Sequence, residues 1–195
     1  SPGGLLHIIA SLNRSFSVQK VRITGGEPLL ARDLPSMIRE VIKMGIPDVG
    51  VTTNGQLLAE KAEDLWNAGL RRLNVSCDSL DQGTFKDLTG GSARKTINGI
   101  LEAKRLGMKP IKLNTVVMRG RNDTEVNELL QFSLANGLEL RFLELMPVGL
   151  SADEFDQLYV SSDEVKQRLE QQFILRPCKE QMGSTARRSA VWDSF

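Results

Sequence analysis

The sequence predicts an α/β fold in which short parallel strands alternate with helices. The main observation is a repeated pattern in which an apolar helix is followed by a glycine and then by a short apolar strand. This pattern occurs four times. The glycines are Gly45, Gly69, Gly107 and Gly137, and the strands after them lie near 49–51, 73–75, 111–113 and 140–145. An earlier apolar run at 21–23 adds a fifth strand. The pattern favours a barrel or a doubly wound sheet, and it does not separate the two.

Composition excludes several classes of partner. The 25 Lys and Arg residues nearly balance the 24 Asp and Glu residues, so no overall field attracts nucleic acid or an anionic membrane. No apolar run approaches the roughly 20 residues that span a bilayer. We therefore expect no nucleic-acid or membrane partner and a cytoplasmic location, or a mitochondrial one in a eukaryote. Cys77 and Cys178 stand far apart, which predicts neither a disulfide framework nor a metal site.

The regular pattern weakens after Pro147, which predicts a division of the chain. Residues 1–150 are expected to form the barrel core, and residues 151–195 to begin a C-terminal region. In that second region we expect a loop over 148–160, a helix over about 163–172, and irregular structure from Arg176 onward.

Polar residues follow each of the five predicted strands. They occupy 24–28, 52–55, 76–79, 114–115 and 144–147. In βα folds the carboxyl ends of parallel strands share one edge, where reactive groups gather. Five polar strand ends therefore predict one cavity lined by hydrogen-bond donors and acceptors. The paired glycines Gly25 and Gly26 allow a ligand to approach the backbone closely.

Three cations lie inside apolar strands. Arg22, Lys112 and Arg141 each have apolar neighbours that should face the helices, so the cations should point the other way. Burying a charge is costly unless it meets a counter-ion, so three such cations predict an anion site, for which a triphosphate is a natural occupant. An equally open alternative is that each cation pairs with a carboxylate of the protein. The candidates are Glu27, Asp78, Glu139 and Glu144.

Five runs of residues resemble those of one enzyme family. They are KVRITGGEPLL at 20–30, VTTNG at 51–55, NVSCDSLD at 74–81, KLNTVVMR at 112–119 and LRFLELMP at 140–147. In order and spacing they are similar to the GTP 3',8-cyclase family, the molybdenum cofactor biosynthesis protein A family of radical S-adenosylmethionine enzymes. Gly-Gly-Glu-Pro alone indicates only the radical S-adenosylmethionine superfamily, whereas the five runs together indicate the cyclases.

The resemblance implies a fold and an activity. The family has an open (β/α)6 barrel, so this chain is expected to be a partial barrel that lacks the first strand and the C-terminal region. Family members use S-adenosylmethionine and [4Fe-4S] clusters to convert GTP to (8S)-3',8-cyclo-7,8-dihydroguanosine 5'-triphosphate. The family's cluster-binding cysteines are absent from this sequence, so no metal ligand and no catalytic residue is assigned, and the chain alone is expected to be inactive. GTP is the implied partner, and a homodimer is left open.

The resemblance also implies site residues, carried over by motif. Gly26 would hold the methionine amino group of S-adenosylmethionine through its backbone, within a loop that includes Gly25 and Glu27. Ser76 and Met146 would contact the rest of that cofactor. The residues implied for GTP are Arg22, Thr52 and Lys112, to which we add Arg141.

Two alternatives from other classes remain at this point. One is a catalytically inactive relative that keeps only nucleotide binding or acts as a scaffold. The other is an aldolase-like barrel in which Lys112 forms a Schiff base, because a desolvated strand lysine can have a lowered pKa.

Overall fold

The structure, a computed structural model, describes residues 2–178 and 187–194. Its helices are α1 (Pro2–Phe16), α2 (Leu34–Lys43), α3 (Leu58–Asn67), α4 (Gln82–Thr89), α5 (Ala93–Arg105), α6 (Val126–Asn136), α7 (Ala152–Leu158) and α8 (Ser162–Leu169). The strands are β1 (Lys20–Ile23), β2 (Asp48–Thr53), β3 (Arg72–Ser76), β4 (Ile111–Val116), β5 (Glu139–Leu143), β6 (Phe173–Pro177) and β7 (Ser189–Ser194). A short 3-10 helix spans Pro28–Leu30.

The main sheet has five parallel strands in the sequential order β1-β2-β3-β4-β5. A doubly wound sheet reverses its strand order at a switch point, and this sheet has no reversal. Right-handed crossovers that all advance in one direction place their helices on one face of the sheet. The order therefore selects the partial barrel of the two expected architectures, and the predicted α/β class with five parallel strands is confirmed.

The repeated glycines have the left-handed backbone that the sequence pattern predicts. Their φ angles are 78° at Gly45, 97° at Gly69, 90° at Gly107 and 66° at Gly137. A residue with a Cβ is strained in this region, so glycine lets the chain leave each helix and turn into the next strand. The four helix-to-strand turns thus have a common cause.

The core lies between the helices and one face of the sheet. Val51, Leu73, Val75 and Leu113 are buried on the strands and pack against helix residues such as Leu65. These strand residues occupy alternate positions, so the residues between them point to the opposite face. In the part of the chain that the structure describes, no helix has both the length and the apolar character needed to cross a membrane.

The C-terminal region is more ordered than the sequence indicates. A helix, α7, interrupts the expected loop over 148–160, because Ser151 and Glu154 form a capping box at its start. The helix expected over 163–172 is the shorter α8. The expected irregular structure from Arg176 is also wrong, since β6 pairs antiparallel with β7. Phe173 of β6 and Val191 of β7 belong to one apolar cluster with residues of α8, and this packing stabilises the pairing. Residues 179–186 lie outside the described part of the chain.

Candidate functional site

The face of the main sheet opposite the helices is almost entirely polar, and we call it the polar face. Its members are the alternate strand residues Lys20, Arg22, Asp48, Gly50, Thr52, Arg72, Asn74, Ser76, Lys112, Asn114, Val116, Glu139, Arg141 and Leu143. Five are cations and two are carboxylates, so this face carries an excess of three positive charges. Such a surface favours an anion over a neutral ligand.

One row of the polar face crosses four strands and contains two of the residues implied for GTP. Thr52 pairs in register with Asn74, Asn74 with Lys112, and Lys112 with Glu139. Asn74 Nδ2 donates to Thr52 Oγ1 at 3.2 Å, and Lys112 Nζ forms an ion pair with Glu139. Only 7% of Lys112 is exposed. The backbone therefore brings Thr52 and Lys112 onto one surface.

Lys112 is both buried and paired. Burial lowers its pKa below the ordinary lysine value, and the hydrogen bond from Nζ to Glu139 opposes that shift. Burial raises the pKa of the paired Glu139, but the hydrogen bond from Lys112 and the nearby positive charges together hold that pKa below the ordinary value, so Glu139 is a charged partner. The carboxylate of Glu139 favours the charged ammonium form of Lys112, whereas a Schiff-base nucleophile requires a neutral amine.

Arg22 occupies the next row toward the amino ends of the strands. Its guanidinium binds Asp48 through two hydrogen bonds of 3.0 and 2.8 Å. Gly50 makes room for it, since a Cβ there would lie 3.0 Å from Arg22 Nη1. The Arg22 guanidinium, with that of Arg72, holds the pKa of the Asp48 carboxyl below its ordinary value. The carboxylates expected from the sequence as structural partners of Arg22 did not include Asp48.

The loop after β1 combines an open backbone with an anchored side chain. Gly25 and Gly26 have φ angles of 96° and 50°, and nothing lies within 4 Å of where a Cβ would stand. Glu27 Oε1 accepts from the Leu29 N–H at 3.0 Å and from Thr53 Oγ1 at 2.6 Å, and Oε2 accepts from the Asn54 N–H at 2.7 Å. Glu27 therefore fixes the loop to the end of β2, while the two glycines leave their backbone accessible.

Replacing Glu27 by alanine should lower the free energy of unfolding by about 2 kcal/mol, because three donors lose a charged acceptor. Urea unfolding followed by circular dichroism measures the change. The matched control is Glu60→Ala on α3, which removes an exposed carboxylate and should change stability by less than about 0.5 kcal/mol. Equal stability of the two variants would show that the loop does not depend on Glu27.

A third row lies two residues from the Thr52 row toward the carboxyl ends of the strands and contains Ser76, Asn114 and Arg141. Ser76 and Arg141 are exposed. Asn114 Oδ1 is buried and has no hydrogen-bond partner among the described residues. A buried acceptor without a partner is uncommon in native proteins, so a ligand or water that donates a hydrogen bond fits this place. Arg141 thus shares the polar face with Arg22 and Lys112, at the opposite end from Arg22.

Met146 lies just beyond β5 in a segment held by Glu144. Glu144 accepts from Tyr159 Oη at 3.0 Å and from the backbone N–H and side chain of Ser162, both at 2.7 Å. Met146 itself is 71% exposed. The structure therefore places Met146 at the same edge of the sheet as Ser76, with an apolar side chain open to a ligand.

A buried asparagine fixes the ends of β3 and β4. Asn122 is fully buried, and its Nδ2 donates to the carbonyls of Asp78 and Val116 at 2.7 and 2.9 Å. Its Oδ1 accepts from the Met118 N–H at 2.8 Å. Asp78 Oδ1 in turn accepts from the Val116 N–H at 2.8 Å, and burial raises the pKa of Asp78. These bonds hold Ser76 and Asn114 on adjacent, fixed strand ends.

The described residues do not provide the ligands of an iron-sulfur cluster. No group of three or more His, Cys, Asp or Glu side chains among them is arranged to hold a metal ion. Cys77 is buried, and burial raises the pKa of its thiol to about 12, which disfavours the thiolate that metal binding requires. The polar face does fit S-adenosylmethionine at the carboxyl ends of the strands. There the Gly25–Gly26 backbone is open, and Asn114 Oδ1 has no hydrogen-bond partner among the described residues.

Comparison with known families assigns the fold to an enzyme superfamily. The family described as the radical SAM superfamily matches residues 1–133. The chain belongs to the radical SAM superfamily. S-adenosylmethionine and a [4Fe-4S] cluster are the cofactors of this superfamily. The expected cofactors are thereby confirmed at the level of the family.

Curated relatives of this radical SAM chain are GTP 3',8-cyclases. The protein of Thermodesulfovibrio yellowstonii is 44% identical over 164 residues, which are 83% of this chain and 51% of that protein. The protein of Marinobacter nauticus is 41% identical over 194 residues, which are 97% of this chain and 59% of that protein. The resemblance to this family is confirmed. The chain spans little more than half the length of these relatives.

Solved structures confirm the radical SAM fold at low sequence identity. Streptococcus suis SuiB bound to S-adenosylmethionine has a TM-score of 0.66 at 19% identity, over 87% of this chain and 39% of that chain. A domain of pyruvate-formate lyase-activating enzyme from Bacteroides vulgatus has a TM-score of 0.61 at 19% identity, over 77% of this chain and 90% of that chain. These likenesses concern the fold alone.

Several polar-face residues escape prediction from the sequence. They are Asp48, Arg72 and Asn74, whereas Glu139 is anticipated, although only as a structural counter-ion. A signal for them exists, since Arg72, Asn74 and Ser76 alternate with buried Leu73 and Val75. Extending the period of two from Ser76 back along the strand would have placed all three on one face.

Proposed function

We propose that this chain forms the cofactor-binding and nucleotide-binding wall of a GTP 3',8-cyclase that acts in molybdenum cofactor biosynthesis. Its substrate is GTP and the product is (8S)-3',8-cyclo-7,8-dihydroguanosine 5'-triphosphate. The observation that carries the proposal is the polar face, on which Arg22, Thr52 and Lys112 share one surface with an excess of positive charge. The names of the curated relatives support the same reaction.

The proposed nucleotide site follows from charge and position. Lys112 and Arg22 are cations held in place by Glu139 and Asp48, so they are oriented before a ligand arrives. Thr52 offers a hydroxyl between them that Asn74 already orients. Arg141 adds a guanidinium at the exposed edge. This arrangement binds the phosphates of GTP through charge-assisted hydrogen bonds, which are stronger than those between neutral groups.

The proposed cofactor site lies at the carboxyl edge. Gly26 presents its backbone to the methionine amino group, Gly25 gives the loop its open turn, and Glu27 fixes that loop to β2. Ser76 and Met146 contact the rest of S-adenosylmethionine, which supplies the radical when it is bound. Within this scheme the residues of the chain bind and orient two nucleoside ligands, and they leave the generation of the radical to groups outside the described residues.

Isothermal titration of GTP into the chain tests the proposal. We expect Arg22→Ala and Lys112→Ala each to weaken GTP binding about tenfold, because each removes a charge-assisted hydrogen bond worth about 1.5 kcal/mol or more. The matched controls are Arg94→Ala and Lys95→Ala, which remove an exposed arginine and an exposed lysine from α5. GTP binding that is equally weak in wild type, site variants and controls would contradict the proposal.

The remaining expectations belong to the same proposal. Residues 1–150 form the barrel part, and residues 151–195 begin a second region that includes the pairing of β6 with β7. The protein acts in the cytoplasm, or in mitochondria in a eukaryote, and a homodimer remains a prediction. Sedimentation of the purified chain measures the oligomeric state.

A further inference from the structure

We propose that Arg72 binds the terminal phosphates of the nucleotide and so determines the preference for a triphosphate over a monophosphate. This inference rests on the proposed function, in which the polar face binds GTP. Neither the polar strand ends nor the resemblance assigns a role to Arg72. Its place in the fold and its unused hydrogen-bonding capacity point to this role.

The first observation is an imbalance of charge around one carboxylate. Arg72 Nη1 donates to Asp48 Oδ2 at 2.8 Å, and Arg22 binds the same carboxylate through both of its Nη atoms. Lys20 Nζ lies 3.8 Å from Asp48 Oδ2. One carboxylate therefore faces three cations, and two positive charges are left uncompensated at this end of the polar face. A ligand with more than one negative charge suits this end.

The second observation is the free donor of Arg72. Its Nε is buried and has no hydrogen-bond partner among the described residues. Leaving a buried donor of a charged group without an acceptor costs free energy, which an oxygen of a phosphate would recover. The guanidinium is planar and presents its donors in a fixed fork, so an oxygen that binds Nε meets a group already oriented by Asp48.

The third observation is the position of Arg72 relative to the row that contains Lys112. Gly50 pairs in register with both Arg22 and Arg72, so the two arginines flank a residue without a side chain. The Thr52 row lies two residues farther along the strands, a distance of about 7 Å. If the phosphate nearest the nucleoside binds at Lys112, only a longer phosphate chain reaches the row of Arg22 and Arg72. The row of Arg22 and Arg72 therefore discriminates between nucleotides by the number of their phosphates.

Titrations of GTP and GMP into the same protein test this inference. Wild type should bind GTP more tightly than GMP. In Arg72→Ala we expect GTP affinity to fall about tenfold and GMP affinity to stay within about twofold. Arg72→Lys keeps the charge beside Asp48 but loses the fork, so GTP affinity should fall by a smaller factor and the fold should be preserved. Circular dichroism of each variant confirms that it is folded.

The matched control is Arg71→Ala. The Arg71 guanidinium lies 3.6 Å from the centre of the Trp66 ring and donates to backbone carbonyls, away from the polar face. Its removal should leave the ratio of GTP to GMP affinity unchanged. Arg72 variants that keep the wild-type ratio would overturn the inference, even where Lys112→Ala still weakens GTP and the proposed function stands. A wild-type chain that binds neither nucleotide would overturn both.

Discussion

Replacement of Asn122 by alanine is expected to lower the free energy of unfolding by about 3 to 5 kcal/mol. The change leaves three backbone groups without their partner, namely the carbonyls of Asp78 and Val116 and the N–H of Met118. Each unsatisfied group at a buried position costs about 1 to 3 kcal/mol. Because the amide side chain is fully buried, water does not readily replace it.

Urea unfolding measures the loss, and Asn98→Ala is the control. Asn98 is an exposed asparagine on α5, so its replacement should change stability by no more than about 0.5 kcal/mol. The Asn122 variant should also bind S-adenosylmethionine more weakly, because Ser76 and Asn114 precede the strand ends that Asn122 joins. A stable Asn122→Ala variant with unchanged cofactor binding would show that the network does not hold this edge of the sheet.

Replacement of Gly99 by valine is the second change with a large expected effect, a loss of about 3 kcal/mol or more. A Cβ at Gly99 would lie 2.7 Å from Leu58 Cβ and 3.1 Å from both the Ala59 nitrogen and the Gly55 carbonyl oxygen. Two of these neighbours are backbone atoms, so the clash cannot be relieved by a change of rotamer. The helices α3 and α5 would have to separate, which costs packing throughout their contact.

The matched control for Gly99 is Gly3→Val on α1. Gly3 is also helical, and nothing lies within 4 Å of where its Cβ would stand. Valine at Gly3 should therefore leave the free energy of unfolding within about 0.5 kcal/mol of wild type. Thermal and urea unfolding compare the two variants directly. A Gly99→Val protein as stable as the Gly3→Val protein would mean that α3 and α5 are not closely packed at this point.

The five-stranded sheet could be predicted because its signals are local. The four helices that precede β2, β3, β4 and β5 each end at a glycine with a left-handed backbone, and each following strand has apolar residues at alternate positions. The choice between a barrel and a doubly wound sheet could not be made from the residues, because it depends on which strands are neighbours. That order is a property of the whole sheet, and the resemblance to a known family was needed to anticipate it.

The C-terminal region shows why the remaining structure escaped prediction. The strands β6 and β7 are joined across residues that the structure does not describe, and each is short and carries polar residues. Their pairing depends on packing of Phe173 and Val191 against α8, which is a contact distant in sequence. The helix α7 has a local signal in the capping pair Ser151 and Glu154, which the expectation of a loop over 148–160 does not take into account.

The candidate site was predictable in its residue types but only partly in its contacts. The cations Arg22 and Lys112 stand out within apolar strands. The alternation of residues along each strand also predicts the face of the sheet on which these cations lie. Asp48 does not stand out, because an acidic residue at the start of a strand is ordinary in a turn. Its place between Arg22 and Arg72 depends on the register of three strands, which the sequence does not specify.

The close contact of α3 with α5 through Gly55 and Gly99 also affects how the protein can respond to a ligand. Backbone atoms of Ala59 and Gly55 lie 3.1 Å from the position of a Cβ at Gly99, so α3 and α5 cannot approach each other more closely there. Gly25 and Gly26 on one flank and Gly149 on the other have no neighbour within 4 Å of a Cβ position. We therefore expect the backbone to adjust to a ligand at Gly25, Gly26 and Gly149 rather than at the contact between α3 and α5.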